Sequence, residues 1–93
     1  NGCNNLGVLY NNGNGVVKNI KKAIQLYKKA CNGGYLQGCT NLGSLYEDGE
    51  GVTKNIKKAS QLFKKACDGD NLQSCDHLII LYKKACDGDN MEA

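Results

Sequence analysis

The sequence repeats itself every 36 residues. Set against each other without a gap, residues 3–38 and 39–74 are identical at 24 of 36 positions. The matched pairs include Cys3/Cys39, Leu6/Leu42, Gly7/Gly43, Tyr10/Tyr46, Gly13/Gly49, Asn19/Asn55, Ala23/Ala59, Ala30/Ala66 and Cys31/Cys67. A period of this length marks stacked helical hairpins, each too small to bury its apolar face alone. The 93 residues divide into units at about 3–38 and 39–74 and a shortened third at 75–93, read together as a single repeat domain.

Each unit carries two helical patterns. In the first, Cys3, Leu6, Leu9 and Tyr10 share a face at spacings of three and four. Gly13 follows as a left-handed cap, and "NGNGVV" reverses the chain. Asn19 caps the second helix, because its side-chain oxygen can accept from a free amide of the first turn. There Ile20, Ala23, Ile24, Tyr27, Ala30 and Cys31 share a face, with Lys22, Gln25 and Lys29 opposite. The pattern predicts first (A) helices near 3–12 and 36–47 and second (B) helices near 19–31 and 55–67. Gly7 and Gly43 fall mid-helix, where glycine costs about 1 kcal/mol relative to alanine. A close approach by the B helix, with Ala23 and Ala30 as its small facing surface, would account for them.

The third unit departs from this plan. Cys75, Leu78, Leu81 and Tyr82 match an A helix, and Lys83-Lys84-Ala85-Cys86 match the end of a B helix. Seventeen residues of the period are missing between them, and Ile79 stands where Gly43 stood. The regular period elsewhere favours a separate B helix ending at Cys86, with 17 residues of intervening chain left out of the sequence. A single helix from about Leu72 to Cys86 is the alternative that the apolar pattern allows. It would leave part of "LIILY" uncovered, which favours self-association through the third unit.

Composition narrows the functions. The formal net charge of +3 is mild, and all twelve basic residues are lysine. Without arginine the chain lacks the side chain best suited to bidentate contacts with guanine or phosphate, so no nucleic-acid partner is expected. The longest apolar run is five residues, far short of the roughly 20 that span a bilayer. No cofactor motif is present.

The stretch "NLGVLYNNGNGVVKNIKKAIQLYKKAC" resembles the Sel-one-like repeat family, relatives of the tetratricopeptide repeats. With cysteines at "KKAC" and "GC" it is similar to the Helicobacter cysteine-rich proteins. The resemblance implies an all-α, right-handed α/α solenoid, here of two complete hairpins and a partial third. It also implies a secreted, disulfide-bonded protein, either a scaffold for host–bacterium interactions or a penicillin-binding protein with weak β-lactamase activity. The shortened third unit is outside the family pattern.

Two pairings of the six cysteines can be drawn. One joins Cys31–Cys39 and Cys67–Cys75, with spacing C-x7-C; the other joins Cys3–Cys31 and Cys39–Cys67. The second scheme would require Cys75–Cys86. On one helix those residues lie about 16 Å apart, whereas a disulfide needs Cα atoms within about 7 Å. The two C-x7-C copies make the first scheme the expected one, and a single helix through Cys75 and Cys86 would exclude the other. Counterparts for Cys3 and Cys86 would then fall ahead of Asn1 and one residue beyond Ala93, as in a stretch of a longer array. Zinc sites favour short C-x2-4-C pairs with histidines at set spacing, and this chain has one histidine and no C-x-x-C, so no metal is expected. Disulfides point to a secreted or periplasmic location.

No catalytic residue can be nominated. None of Ser44, Ser60 and Ser74 begins S-x-x-K, and S-D-N, K-T-G, G-x-S-x-G and H-E-x-x-H are absent. Ser74 is near His77 in sequence, without an orienting acid. Asp68, Asp70, Asp87 and Asp89 sit in turns, Asp70 as a candidate cap for the next A helix. The repeated lysines Lys21/Lys57, Lys22/Lys58, Lys28/Lys64 and Lys29/Lys65 form a solvated outer face. Asn5, Asn41 and His77 share one repeat position on the A helices, which line the concave surface of α-solenoids. Side-chain amides there can pair with both the donor and the acceptor of an extended peptide backbone. The expected function is binding of a peptide or protein ligand in that groove by Asn5, Asn41 and His77, with Asn4, Val8, Thr40 and Ser44 nearby.

Overall fold

The computed structural model describes residues 2–84 and 86. Its helices are α1 (Gly2–Asn12), α2 (Ile20–Asn32), α3 (Leu36–Asp48), α4 (Ile56–Asp68) and α5 (Leu72–Lys84), and no strand occurs among the described residues. Each helix packs on the one before and the one after. The result is a row of 44 × 26 × 17 Å, the shape of an all-α repeat superhelix. The helix ends fall within a residue or so of those read from the sequence.

Local chemistry explains the boundaries. Asn19 and Asn55 are extended, and their side-chain oxygens accept from the amides of Lys22 (3.1 Å) and Lys58 (2.9 Å). Each such cap contributes about 1 kcal/mol. Gly13 and Gly49 take φ of 74° and 72° and donate to the carbonyls of Leu9 and Leu45, closing α1 and α3. The cap of α5 differs from expectation. Asn71, not Asp70, accepts from the amide of Ser74 at 3.1 Å. Asp70 stands where Gly34 stood and is held at φ 74°. That turn needs a left-handed residue, whereas an N-cap needs an extended one, so the cap passes to the next residue. Asp68 instead accepts from Lys64 Nζ at 3.1 Å on an exposed helix face. Asp87 and Asp89 lie outside the described residues.

The core is built from B-helix aromatics and A-helix leucines. Ala23, Tyr27, Leu42 and Leu45 form one cluster, and Ala59, Phe63 and Leu81 another. Burial pushes the Tyr27 phenol above its ordinary pKa. The glycines face partners other than those expected. A Cβ on Gly7 would lie 2.7 Å from Tyr27 Cε1, and one on Gly43 would lie 3.0 Å from Phe63 Cε1. The mid-helix glycines thus admit an aromatic ring of their own B helix rather than an alanine. Ala30 serves the next junction: a Cβ on Gly38 would meet Ala30 Cβ at 2.8 Å and the backbone of Cys31 and Tyr27 at 3.0 Å.

The third unit corrects a further expectation. α5 is unbroken from Leu72 to Lys84, so the chain through Tyr82 and Lys83 is one helix and not the start of a separate B helix. Nothing between Leu78 and Lys84 breaks a helix, Leu78 and Leu81 keep one packed face, and Lys83 and Lys84 suit the negative end of the dipole. Ala85 is outside the described residues. Among the described residues no helix follows to cover α5, and Ile79, Ile80 and Tyr82 are exposed at 57%, 48% and 54%.

The junction geometry makes a ranked prediction. Gly38→Ala should destabilise the oxidised protein by about 1–3 kcal/mol, because its neighbours include backbone that cannot retreat. Gly43→Ala should cost less, because the Phe63 ring can shift and alanine favours the helix. Urea denaturation of the two variants checks the order.

Candidate functional site

The first helices of the three units, α1, α3 and α5, are stitched to one another by side-chain bonds. Asn41 Nδ2 on α3 donates to Asn4 Oδ1 on α1 at 2.8 Å. Gln37 Nε2 donates to Asn41 Oδ1 at 3.2 Å, so both ends of that amide are engaged. Thr40 on α3 and Ser74 on α5 pair their hydroxyls, and both side chains are buried. His77 Nε2 on α5 bonds Glu47 Oε1 on α3 at 2.9 Å, and its ring stacks on Phe63 with centroids 4.5 Å apart. The low dielectric around the buried Thr40–Ser74 pair strengthens that bond and makes an unpaired member costly.

The seven binding candidates therefore fall into two rows. Asn4 and Thr40 are buried in the seam, at 5% and 3% exposure, and serve structure. Asn5 is exposed, while Val8, Asn41, Ser44 and His77 are half-buried. Neither Asn5 nor Asn41 has its amide buried under its own B helix. The partners that sequence reasoning missed are Gln37, Glu47, Ser74 and Phe63. Three of the four bonds cross between units, at separations of 37, 34 and 30 residues. An offset close to, but not equal to, the period is the signal that could have revealed them.

Ser74 and His77 do not make a nucleophilic pair. The Ser74 hydroxyl is fully buried and spent on Thr40, and His77 Nε2 is spent on Glu47. Among the described residues no cluster of three or more His, Cys, Asp or Glu side chains could hold a metal ion, and no helix is long and apolar enough to cross a membrane. On the other side, Lys22 lies over the ring of Tyr10 at 5.2 Å and Lys58 over Tyr46 at 5.4 Å. These repeat-equivalent cation–π contacts tie one lysine per unit to its own A helix.

The cysteines pair as C-x7-C. Cys31–Cys39 joins α2 to α3 and Cys67–Cys75 joins α4 to α5, each with Cα atoms 4.7 Å apart. Cys3, at the matching position of α1, is a free, half-buried thiol. Each bridge clips a B helix to the A helix that follows, contributing roughly 2–4 kcal/mol.

This arrangement of hairpins can be compared with known proteins. The family model described as the Sel1 repeat matches residues 1–35, 36–71 and 79–90. The chain belongs to the Sel1 repeat family. Among solved structures, it is similar to a Sel1 repeat protein from Oxalobacter formigenes at 36% identity and TM-score 0.80, covering 82% of this chain and 31% of that one. It is similar to Helicobacter pylori cysteine-rich protein B at 43% identity and TM-score 0.79, covering 83% and 58%. A protective antigen of uropathogenic Escherichia coli with the same repeat fold matches at 31% identity and TM-score 0.86, covering 89% and 18%. The chain thus spans less than two thirds of each of these structures. No curated protein matches it significantly. Within these Sel1 repeats, the two disulfides and the A-helix seam tie successive units together.

The seam can be tested through its most buried bond. Thr40→Val keeps the shape and strands the Ser74 hydroxyl, which should cost about 1–3 kcal/mol. Thr40→Ser keeps the bond and should cost distinctly less. Thermal denaturation of both variants decides; equal losses would show that the hydroxyl pair contributes nothing.

Proposed function

We propose that the chain is an extracytoplasmic scaffold that binds an extended peptide or protein segment along α1, α3 and α5. The observation that carries this reading is the exposed Asn5 amide on α1, at the repeat position that Asn41 and His77 hold on α3 and α5, on a seam that is already internally bonded. A surface whose own polar groups are satisfied need not rearrange to bind, which lowers the ordering cost. Asn5 can both donate and accept, so it suits a peptide backbone. The Val8 methyls one turn along α1 and the half-buried imidazole on α5 would add contact area along the row. Two disulfides support a location outside the reducing cytoplasm. The uncovered apolar face of α5 supports self-association through the third unit.

A linear peptide library displayed on phage, panned against the oxidised protein, supplies a probe. The enriched peptide is then titrated into isotope-labelled protein and followed by NMR. Shifts should cluster at Asn5, Val8, Asn41, Ser44 and His77, and Asn5→Ala should weaken binding about tenfold, the worth of one hydrogen bond. Shifts confined to the lysine faces of α2 and α4 would contradict the proposal.

A further inference from the structure

The exposed stripe of α5 has a composition that neither earlier unit shows. Asp76, Ile79, Ile80 and Lys83 are all exposed and follow the spacing of three and four that defines one helical face. Their counterparts are Asn4, Gly7, Val8 and Asn11 in the first unit and Thr40, Gly43, Ser44 and Glu47 in the second. In those units, two of these positions, those of Asp76 and Lys83, look toward the next A helix. Asn4 accepts from Asn41, Thr40 pairs with Ser74, and Glu47 bonds His77. The glycine position looks toward the unit's own B helix, where even a Cβ on Gly43 would lie only 3.0 Å from Phe63 Cε1.

Ile79 fills that space. An aromatic ring seated as Phe63 is seated on Gly43 would collide with it, so α5 excludes a B helix of this repeat's own kind. What remains is an aliphatic pair with an acid one turn before it and a base one turn after it. A stripe of this kind is complementary to itself when reversed. We propose that two copies of the chain pair through α5 in antiparallel fashion, about a two-fold axis between Ile79 and Ile80. This geometry deepens the self-association reading above and rests on it. Ile79 of one copy then packs on Ile80 of the other, and Asp76 faces Lys83 of the other copy twice. A parallel pairing would set Asp76 against Asp76 and Lys83 against Lys83, so the charges select the antiparallel arrangement. Two helices of 13 residues make a contact at the small end of specific interfaces, and the dimer is correspondingly weak.

Sedimentation velocity on the oxidised full chain, with its thiols alkylated so that no dimer is a disulfide, tests this over about 10 µM to 1 mM, the range where weak dimers dissociate. The proposal expects a reversible monomer–dimer equilibrium that Ile80→Asp abolishes. Asp76→Lys alone and Lys83→Asp alone should each weaken it at least about tenfold, and the double reversal D76K/K83D should restore it. All these side chains are exposed, and far-UV circular dichroism checks that each variant remains folded. Monomer at every concentration overturns the geometry and the broader self-association reading together. A dimer that ignores the single charge reversals, or that the double reversal fails to restore, leaves self-association standing and overturns this geometry.

Discussion

The junction between one unit's B helix and the next unit's A helix is the contact on which the rest depends. At α2–α3 the backbones approach so closely that Gly38 has no room for a methyl group, and the Cys31–Cys39 bridge closes over the same turn. The bridge limits the unfolded chain and fixes how far α3 can rotate on α2. The Cys67–Cys75 bridge repeats the constraint at α4–α5, where Ser74 replaces the glycine and turns its hydroxyl to Thr40. Repeat proteins owe their stability to such nearest-neighbour interfaces, since a lone hairpin cannot cover its own core. Leu6 and Leu9 on α1 are 41% and 40% exposed, while Leu42 and Leu45 on α3, which lies between two B helices, are 4% and 5% exposed.

Once the junctions set the spacing, the A helices fall side by side and their polar residues can reach across. The seam that follows is polar where the A–B contacts are apolar. Division of labour between two adjacent repeat positions is the consequence. Asn4 and Thr40 are absorbed into the seam, Asn41 and His77 are shared between seam and surface, and Asn5 is left to the solvent. Asn5 can therefore vary without disturbing the bonds beneath, whereas Asn41 and His77 cannot.

The regular features were legible because they are local. The Asn19 and Asn55 caps and the left-handed Gly13 depend on neighbours within one or two turns, and the 36-residue period is written in the sequence itself. The misread features depend on contacts across the stack. Asp70 has a capping side chain, but the turn demanded a left-handed residue there and passed the cap to Asn71. The mid-helix glycines announced a close approach without naming its partner, which is a ring and not an alanine. The seam bonds that cross between units join residues 30 to 37 positions apart, and their pairing is set by the rotation between units, which a linear period does not encode. In the third unit the strict period argued for a second helix, whereas the local pattern through Tyr82 and Lys83 carried α5 onward.

The central claim is that successive units are clipped B helix to following A helix. Proteolysis without reduction, followed by mass spectrometry of the linked peptides, tests it most directly. The account predicts that Cys31 is recovered joined to Cys39 and Cys67 joined to Cys75. Recovery of Cys3 joined to Cys31, or of Cys39 joined to Cys67, would place the bridges within hairpins and contradict it.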